Sequence, residues 1–410
     1  MKSCIVVAAS VLVLLSCQQG NASGAERETL VSRAESGGRE IVIGNTAPLS
    51  GPAAAYGLPA RVIEQFFADV NAEGGVGGHK VRFLSRDDRY DPDRTADAIT
   101  KLVEEEQAAL ILGSVGTPTN QTVSAYLNRK QVPHLFLLSG HPHFDNPRTL
   151  PYSIGWPMNY VVEGQVYGAW IKSLGPDLTV GVLYQNDSYG EAALRGLHLG
   201  FRDDARLIAA SYDLSERSLD NQISRLAARR PDFLLLAAVP KFAIEALREV
   251  AKSTWRPTTI VMSQSSSAQM LIANAGRSIP QGVLSAGYLK SLAGSDWQGD
   301  DDIAAYRDFM ARRLPDVAAE NPLAAMSYAL ANVARAVLER AGPDFSRASI
   351  MRAAHGLSDY EAPLLLPGVT IDLSANDHLA IEAAWIMQLV GERYVPLAGP
   401  VRVDCCAEPE

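Results

Sequence analysis

Cysteine is almost absent from this chain of 410 residues, which has only four. Cys4 and Cys17 lie near the start, Cys405 and Cys406 are adjacent near the end, and positions 18–404 contain none. Neither a disulfide framework nor a cysteine-ligated zinc ion therefore holds the body of this protein together. Two states stay open for the tail pair: a strained vicinal disulfide in an oxidising compartment, or two thiols without a function.

Positive charge is also scarce. Lysine and arginine number 37 against 46 aspartate and glutamate residues, which leaves a formal net charge of −9. Surfaces that bind nucleic acids or anionic membranes need clustered cations, and no basic run occurs in the chain. We therefore expect no nucleic-acid partner and no general membrane-binding surface.

Recognisable catalytic motifs are missing too. The chain has no G-x-S-x-G elbow, no phosphate loop of the form G-x-x-x-x-G-K-[ST] and no H-E-x-x-H. His141 and His143 have no strong third metal ligand nearby, and the acidic clusters Asp87-Asp88 and 300–302 are typical of solvated loop ends. We expect no enzyme activity, no metal and no cofactor.

One long apolar run is present, at the N-terminus. A single cation at Lys2 precedes an apolar core over residues 5–15, and small residues follow, which is the layout of an export signal. The run is too short for a transmembrane helix, which needs about 20 residues. We predict a signal peptide over residues 1–17 and a periplasmic location.

The end of this run resembles the lipobox of bacterial lipoproteins. Residues 14–17 read Leu-Leu-Ser-Cys, and the resemblance implies a lipid attached to Cys17 as the one contact with the membrane. Residues 18–40 are polar and have the composition of a flexible tether, which suits an anchored start. The alternative is ordinary cleavage near Ala22, which would discard Cys17.

From residue 41 onward, short apolar strands alternate with amphipathic helices, the pattern of parallel sheets covered by helices. The chain also exceeds the roughly 250–300 residues over which one hydrophobic core keeps growing. We predict an α/β fold with two doubly wound lobes joined by about three crossovers, an arrangement that permits a hinge. The expected boundaries are 41–155 and 287–378 for lobe 1, 156–286 and 379–402 for lobe 2, and 403–410 for a tail.

Polar loops at the ends of first-lobe strands are the candidate binding elements, because ligands of open parallel sheets bind at the carboxyl ends of strands. The loop 113–120 (GSVGTPTN) enters a helix that we expect Thr119 or Asn120 to cap, which leaves backbone N–H groups and the Thr117 hydroxyl free. Helix capping alone is the other interpretation of this loop. An oxygen-rich group such as a carboxylate would fit.

The neighbouring strand and the second lobe supply comparable loops. Ser139-Gly140 ends the next strand with a hydroxyl and an unobstructed backbone. In the second lobe, 183–190 (LYQNDSYG) places Tyr189 where its ring could cover a solute or serve packing. Val239-Pro240 and 263–267 end the following strands and would complete the opposite wall.

Several motifs resemble those of the periplasmic leucine/isoleucine/valine-binding proteins, the solute receptors of branched-chain amino acid ABC transporters. They are APLSGPAAAYG, FFADVNAEGGVGGHKV, DDRYDPDRTADAITKLV, LGSVGTPTN and LYQNDSYGEAAL, in the family's order and spacing, and the similarity runs from about residue 41 to about residue 400. GTPTNQTVSAYLNRKQVPHLF and YSIGWPMNYVVEGQVYGAWI resemble a branch that also takes up aromatic acids and amides. The resemblance implies two Rossmann-like lobes of the type I class that close on one solute.

The resemblance also implies a set of ligand-binding residues. These are Tyr56 as the cleft-facing tyrosine, Thr117 and Ser139-Gly140 as the two carboxylate loops, and Tyr189 as the aromatic residue of the opposite lobe. Gln264 falls where amino-acid receptors place an acid that pairs with the ligand's ammonium. A neutral Gln264 gives no charge-assisted bond, which is worth about 1.5–3 kcal/mol.

Other departures point the same way. Val239-Pro240 replaces the family's second opposite-lobe tyrosine, and Tyr90 and Gly116 stand at the places of its paired cysteines. The sequence therefore favours a solute with a carboxylate and an apolar or aromatic body, and a branched-chain amino acid is the alternative. We expect a monomer that delivers this small molecule to an ABC permease; a solute-sensing signalling receptor is the alternative of another class.

Overall fold

The computed structural model describes residues 40–51, 53–292 and 297–403. The predicted signal peptide with Cys17, the predicted tether up to residue 39, and the Cys405-Cys406 pair lie outside these residues. Among the described residues, no helix combines the length and the apolar composition that crossing a membrane requires.

Short apolar segments form the strands. They are β1 (Ile41–Ala47), β2 (Val81–Asp87), β3 (Leu110–Leu112), β4 (His134–Leu137), β5 (Ser153–Gly155), β6 (Val180–Gln185), β7 (Leu207–Tyr212), β8 (Phe233–Ala237), β9 (Thr258–Val261), β10 (Leu284–Gly287), β11 (Ala383–Val390) and β12 (Arg393–Arg402). Every residue of β3 and β8 is buried, as expected for parallel strands that helices cover on both faces.

Amphipathic segments form the helices between them. They are α1 (Leu58–Ala72), α2 (Pro92–Glu104), α3 (Thr117–Arg129), α4 (Tyr160–Leu174), α5 (Ser188–Phe201), α6 (Asp220–Arg229), α7 (Pro240–Lys252), α8 (Ala268–Ala275), α9 (Asp301–Arg313), α10 (Pro322–Ala341) and α11 (Arg347–His355). Short 3-10 turns cover Ala54–Gly57, Pro142–Asp145, Asp204–Arg206 and Ser263–Ser265.

The strands form two sheets with the same internal order. The five-stranded sheet runs β2-β1-β3-β4-β5, with all neighbours parallel. The seven-stranded sheet runs β12-β11-β10-β9-β8-β6-β7, parallel from β7 to β10, with β11 and β12 antiparallel at one edge. We call the parts built on these sheets the first and the second lobe. The predicted α/β fold with two doubly wound lobes is confirmed.

The last three helices return to the first lobe. The Phe66 ring of α1 contacts Phe309 of α9 at a centroid distance of 6.4 Å and Tyr328 of α10 at 5.6 Å. The Arg347 guanidinium at the start of α11 donates to the carbonyl oxygen of Ala108 at 3.0 Å. The chain therefore passes between the lobes three times, after β5, after β10 and before β11. The residue boundaries of the lobes stay a prediction.

Helix α4 lies at the centre of the second lobe. Ten of its fifteen residues are buried, because it is apolar on nearly every side and packs against both the sheet and α5. Its contact with α5 is made through glycines. A Cβ atom on Gly164 would lie 2.3 Å from the carbonyl oxygen of Ala193, and one on Gly196 would lie 2.1 Å from that of Val161. The backbones of the two helices therefore touch.

One expectation about local structure is wrong. The helix expected from Asn120 begins three residues earlier, at Thr117. Pro118 explains the earlier start, because its fixed φ and missing N–H suit the first helical turn.

Candidate functional site

The two polar loops predicted in the first lobe meet at the ends of β3 and β4. The Thr117 and Ser139 hydroxyl oxygens lie 2.7 Å apart and share a hydrogen bond, although the residues are 22 positions apart. Ser139 is buried, and its hydroxyl also accepts the backbone N–H of His141 at 3.2 Å. The structure thus brings these two predicted site residues together, and their role in ligand binding stays a prediction.

The expected cap of α3 is wrong. Gly116 is the N-cap, with φ of +104°, a backbone angle that favours glycine, and it supplies no side-chain cap. The Thr119 hydroxyl donates to the carbonyl oxygen of Val115 at 2.6 Å, and the Asn120 amide donates to that of Gly116 at 2.7 Å. These side chains therefore stabilise the β3–α3 loop by hydrogen bonds to its carbonyl oxygens.

Tyr90 covers this loop. A Cβ atom on Gly116 would lie 2.6 Å from Cε2 of Tyr90, so the tyrosine ring packs against the backbone of the loop. The backbone of Tyr90 has φ of +63°, and its N–H donates to the Asp88 carboxylate at 2.9 Å. Tyr56 lies in the 3-10 turn Ala54–Gly57 and is 54% exposed.

Tyr160 covers the second loop in the same way. A Cβ atom on Gly140 would lie 2.8 Å from Cε1 of Tyr160, so the ring packs against the backbone of this loop. The Tyr160 N–H donates to the Gly140 carbonyl oxygen at 3.1 Å. The Tyr160 ring packs edge-to-face on Tyr189 at a centroid distance of 4.9 Å. The tyrosines therefore connect the first-lobe loops with the start of α5.

The start of α5 faces these loops. The Asp187 carboxylate caps the helix by accepting the N–H of Tyr189 at 3.0 Å. Tyr189 is only 8% exposed, and no hydrogen-bond partner for its hydroxyl is found among the described residues. The His141 side chain connects the two lobes. Its Nδ1 accepts the backbone N–H of His143, so the ring proton is on Nε2. Nε2 donates this proton to the hydroxyl oxygen of Ser188 in the second lobe, at 3.1 Å. The lobes are thus in direct contact beside the tyrosines.

Gln264 stands apart from the other predicted site residues. It is exposed in the turn Ser263–Ser265, and in the described part of the chain it shares no hydrogen bond or ring contact with them. Its neighbour Ser263 donates to the Glu163 carboxylate, through the backbone N–H at 2.6 Å and through the hydroxyl at 2.8 Å. Glu163 is 1% exposed, and burial raises its pKa. The turn that carries Gln264 is therefore held by a buried acid.

Comparison with known proteins agrees with this geometry. A model of the periplasmic binding protein family matches residues 40–393, most of the chain. The chain belongs to the periplasmic binding protein family. Leu/Ile/Val-binding protein homolog 7 of Brucella abortus is 23% identical over 238 residues, which are 54% of this chain and 58% of that protein. The chain spans less than two thirds of the length of the first curated relatives that it matches.

Solved structures show the same fold. A branched-chain amino acid ABC transporter protein from Thermus thermophilus, with bound valine, aligns with a TM-score of 0.73 at 17% identity and covers 90% of this chain and 97% of its own. A fatty acid ABC transporter substrate-binding protein from Thermomonospora curvata aligns with a TM-score of 0.69 at 19% identity, over 88% of this chain and 92% of its own. These likenesses confirm the predicted type I architecture of this periplasmic binding protein.

Asp145 holds the first passage between the lobes of this periplasmic binding protein. Its carboxylate accepts the N–H of Gly155 at the end of β5 and the side-chain amide of Asn159, both at 2.9 Å. Asn159 in turn caps α4. Burial raises the pKa of Asp145 to about 7, and the nearby Asp377 acts in the same direction. The folded protein therefore favours the protonated acid at this joint.

The raised pKa predicts a pH-dependent contribution to stability. Below about pH 4, Asp145 is protonated in both states; between about pH 4 and 7 the unfolded chain loses this proton while the folded protein keeps it. The stabilisation is therefore lost as pH rises towards 7. We expect the free energy of unfolding of the wild type, minus that of Asp145→Asn, to fall by roughly 1–3 kcal/mol between pH 5 and pH 8. Urea unfolding at both pH values measures this difference.

The control for this measurement is Asp97→Asn, because Asp97 is exposed on α2. The free energy of unfolding of the wild type, minus that of Asp97→Asn, should be the same at both pH values. If the corresponding difference for Asp145→Asn were also the same at both pH values, the assignment of a raised pKa to Asp145 would be wrong.

Metal ligands do not cluster in the described residues: no three histidine, cysteine, aspartate or glutamate side chains converge there. The ring centroids of His141 and His143 lie 6.4 Å apart. The His141 ring forms hydrogen bonds with the backbone N–H of His143 and with the Ser188 hydroxyl. These two histidines are therefore accounted for by structural contacts.

Sequence reasoning missed Tyr160 and Glu163, and it treated Tyr90 only as a replaced cysteine. A signal existed for each of them. Tyr90 follows the end of β2, Tyr160 follows the capping residue of α4, and Glu163 is a lone acid in an otherwise apolar helical segment. Their contacts depend on the packing of distant segments, which no local pattern specifies.

Proposed function

We propose that this protein captures a small organic solute, with a carboxylate on an apolar or aromatic body, between its two lobes and delivers it to an ABC permease. The observation that carries the proposal is the pairing of Thr117 and Ser139, 2.7 Å apart at adjacent strand ends, beneath a wall of tyrosines. Hydroxyl and N–H donors suit a carboxylate, and aromatic rings suit an apolar body. The site residues are Tyr56, Thr117, Ser139, Gly140, Tyr189 and Gln264.

Several features support this solute over an α-amino acid. Gln264 is neutral, so it offers no charge to an ammonium group, and the buried acid Glu163 beside it is already bonded to Ser263 and Tyr167. The structural relative from Thermomonospora curvata is named for fatty acids, which carry a carboxylate and an apolar body but no ammonium group. A branched-chain amino acid is the second candidate, favoured by the Leu/Ile/Val-binding relatives.

The same proposal includes location and assembly. Membership of the periplasmic binding protein family supports an extracytoplasmic location, and the proposal adds a monomeric state and a lipid anchor at Cys17. The three passages between the lobes would act as the hinge, so that solute binding favours a closed form for the permease to recognise. The function has no catalytic step.

A thermal-shift panel tests the solute class. The probes are benzoate, phenylacetate and isovalerate, their primary amides, L-leucine and L-valine. A ligand that binds only the folded state adds about 2.7 kcal/mol of stability at a concentration 100 times its Kd, so a true ligand raises the melting temperature. We expect at least one simple carboxylate to do so. Stabilisation by leucine or valine alone would overturn the preference for simple carboxylates.

Thr117→Ala tests the site. Removal of the hydroxyl that pairs with Ser139 should raise the Kd of the carboxylate roughly tenfold, the effect of about one hydrogen bond to a charged group. The matched control is Thr122→Ala in the same helix, where the exposed hydroxyl donates to the Pro118 carbonyl oxygen. Titration calorimetry measures both variants. Equal affinities for Thr117→Ala and wild type would remove Thr117 from the site.

A further inference from the structure

The hydrogen bond between His141 and Ser188 joins the two lobes at residues that belong to neither lobe's connecting passages. His141 follows β4 in the first lobe and Ser188 begins α5 in the second, and the His141 Nε2 lies 3.1 Å from the Ser188 hydroxyl oxygen. At the third passage, by contrast, the Trp385 indole N–H donates to the Pro367 carbonyl oxygen at 3.0 Å. A hinge motion preserves contacts at the passages and changes distances between the lobe bodies, so an opening of the lobes would break the bond between His141 and Ser188.

The His141 ring is oriented by its own lobe. Its Nδ1 accepts the backbone N–H of His143 at 3.2 Å and so caps the 3-10 turn Pro142–Asp145. Phe144 of this turn is fully buried in a cluster with Leu137 of β4 and with Leu150. The ring proton on Nε2 therefore points outwards from a turn that the first lobe holds in place.

Ser188 is held just as firmly by the second lobe. The Asp187 carboxylate accepts the N–H groups of Tyr189 at 3.0 Å and Gly190 at 3.2 Å, and it also accepts the Gln185 side-chain amide at 2.5 Å. Gly190 packs so closely on the Gln185 backbone that a Cβ atom there would clash. The Ser188 hydroxyl shares no hydrogen bond other than that with His141 within the described part of the chain.

The bond lies beside the predicted carboxylate loops. The backbone N–H of His141 donates to the Ser139 hydroxyl at 3.2 Å, and that hydroxyl pairs with Thr117. On the other side, Ser188 immediately precedes Tyr189, the predicted aromatic residue of the second lobe. Because each partner is fixed within its own lobe and hydrogen bonds tolerate only a few tenths of an ångström of stretching, the bond forms only when the two lobes meet over this region.

We propose that the hydrogen bond between His141 and Ser188 holds the lobes closed over the solute, so that both residues raise the affinity for the solute without contacting it. The inference rests on the proposed function, in which capture of the solute leads to closure. His141 and Ser188 are thus positioning residues. The free energy of their bond stabilises the closed form alone, and it therefore adds to the binding of any solute that closes the lobes.

The test compares His141→Asn and Ser188→Ala with the wild type. Asparagine can still accept the His143 N–H, as Asn side chains do in turns, but it lacks a donor that reaches Ser188. Alanine suits the first turn of α5 and leaves the Asp187 cap in place. The probe is the compound of the thermal-shift panel that binds the wild type most tightly. We expect each variant to raise its Kd about three- to tenfold, the effect of one hydrogen bond between neutral groups, as measured by titration calorimetry.

The double variant His141→Asn with Ser188→Ala completes a mutant cycle. One bond can be lost only once, so the Kd of the double variant should equal that of either single variant instead of rising by the product of the two effects. The rate of solute dissociation should rise while the rate of association stays unchanged, because the bond forms after the solute has entered. Stopped-flow intrinsic fluorescence measures both rates.

The matched control is His143→Asn. His143 is exposed on the same 3-10 turn, and its hydrogen bond to His141 uses the backbone N–H, which the substitution retains. Its Kd for the probe should equal that of the wild type.

The outcomes separate this inference from the proposed function. If the wild type binds the probe and both single variants bind it equally well, the bond is present in the free and bound forms alike; the inference is then wrong and the proposed function stands. A double variant that weakens binding by the full product of the single effects would overturn the inference as well, since the two residues would then act separately. If no compound of the panel raises the melting temperature of the wild type, the proposed solute class fails and this inference fails with it.

Discussion

Glu163→Leu is expected to lower the free energy of unfolding by roughly 3–5 kcal/mol. The Glu163 carboxylate accepts three hydrogen bonds inside the second lobe: two from Ser263 and one from the Tyr167 hydroxyl at 2.6 Å. Tyr167 in turn accepts the Ala286 N–H at 2.8 Å, so the network joins α4, the turn after β9 and β10. Leucine has a similar volume and takes this acceptor away from the Ser263 N–H, the Ser263 hydroxyl and the Tyr167 hydroxyl, which keeps only a long contact of 3.5 Å to the Val261 carbonyl oxygen. Urea unfolding measures the loss.

Glu163→Gln is the matched control. The Tyr167 hydroxyl and the Ser263 N–H both donate to Oε1, which glutamine retains, and the new amide can donate to the Ser263 hydroxyl oxygen. We therefore expect a change of less than about 1 kcal/mol at pH 5. A similar loss in both variants would show that the hydrogen bonds of Glu163 are not what stabilises this region.

The sign of the pH dependence follows from the raised pKa of Glu163. Burial favours the protonated acid in the folded state, so the stability that Glu163 contributes is lost as pH rises through its folded pKa. Glutamine does not titrate. Glu163→Gln should therefore gain stability relative to the wild type as the pH rises above about 4.5, the ordinary pKa of a glutamate.

Gly196→Ala should destabilise the protein by about 2–4 kcal/mol. The new Cβ would lie 2.1 Å from the carbonyl oxygen of Val161 and 3.0 Å from the backbone nitrogen of Gln165. Both are backbone atoms of α4, so the clash is relieved only by moving the helices apart, which opens the core of the second lobe. Helix propensity alone predicts the opposite sign, a gain of about 1 kcal/mol for alanine over glycine. Chemical denaturation of Gly196→Ala and the wild type distinguishes the destabilisation expected from the clash from the gain expected from helix propensity.

The control is Arg195→Ala, the neighbouring residue on the exposed face of α5. Its free energy of unfolding should stay within about 0.5 kcal/mol of the wild type. If Gly196→Ala proved as stable as the wild type or more so, the close contact of α4 and α5 would be refuted.

The fold was largely predictable from the chain because its signals are local. β8 is an unbroken apolar run, and the flanking helices α7 and α6 carry clear amphipathic patterns. The site was predictable in part: Thr117 and Ser139 follow adjacent strands and do meet. The N-cap of α3 was not predictable. It is Gly116, while the Thr119 and Asn120 side chains donate hydrogen bonds to carbonyl oxygens of the preceding loop.

The sequence by itself determined the alternation of strands and helices, the lack of cysteine in the body and the ordered motifs of a periplasmic binding protein, because each depends on neighbouring residues. The tertiary structure alone decided which side chains meet. Glu163 and Ser263 are 100 residues apart in the chain, and the Tyr90 ring packs against Gly116 although the whole of α2 lies between these two residues in the sequence. Such contacts depend on how sheets and helices pack, and packing places the rings of Tyr90 and Tyr160 against the glycines of the loops that the motifs had indicated.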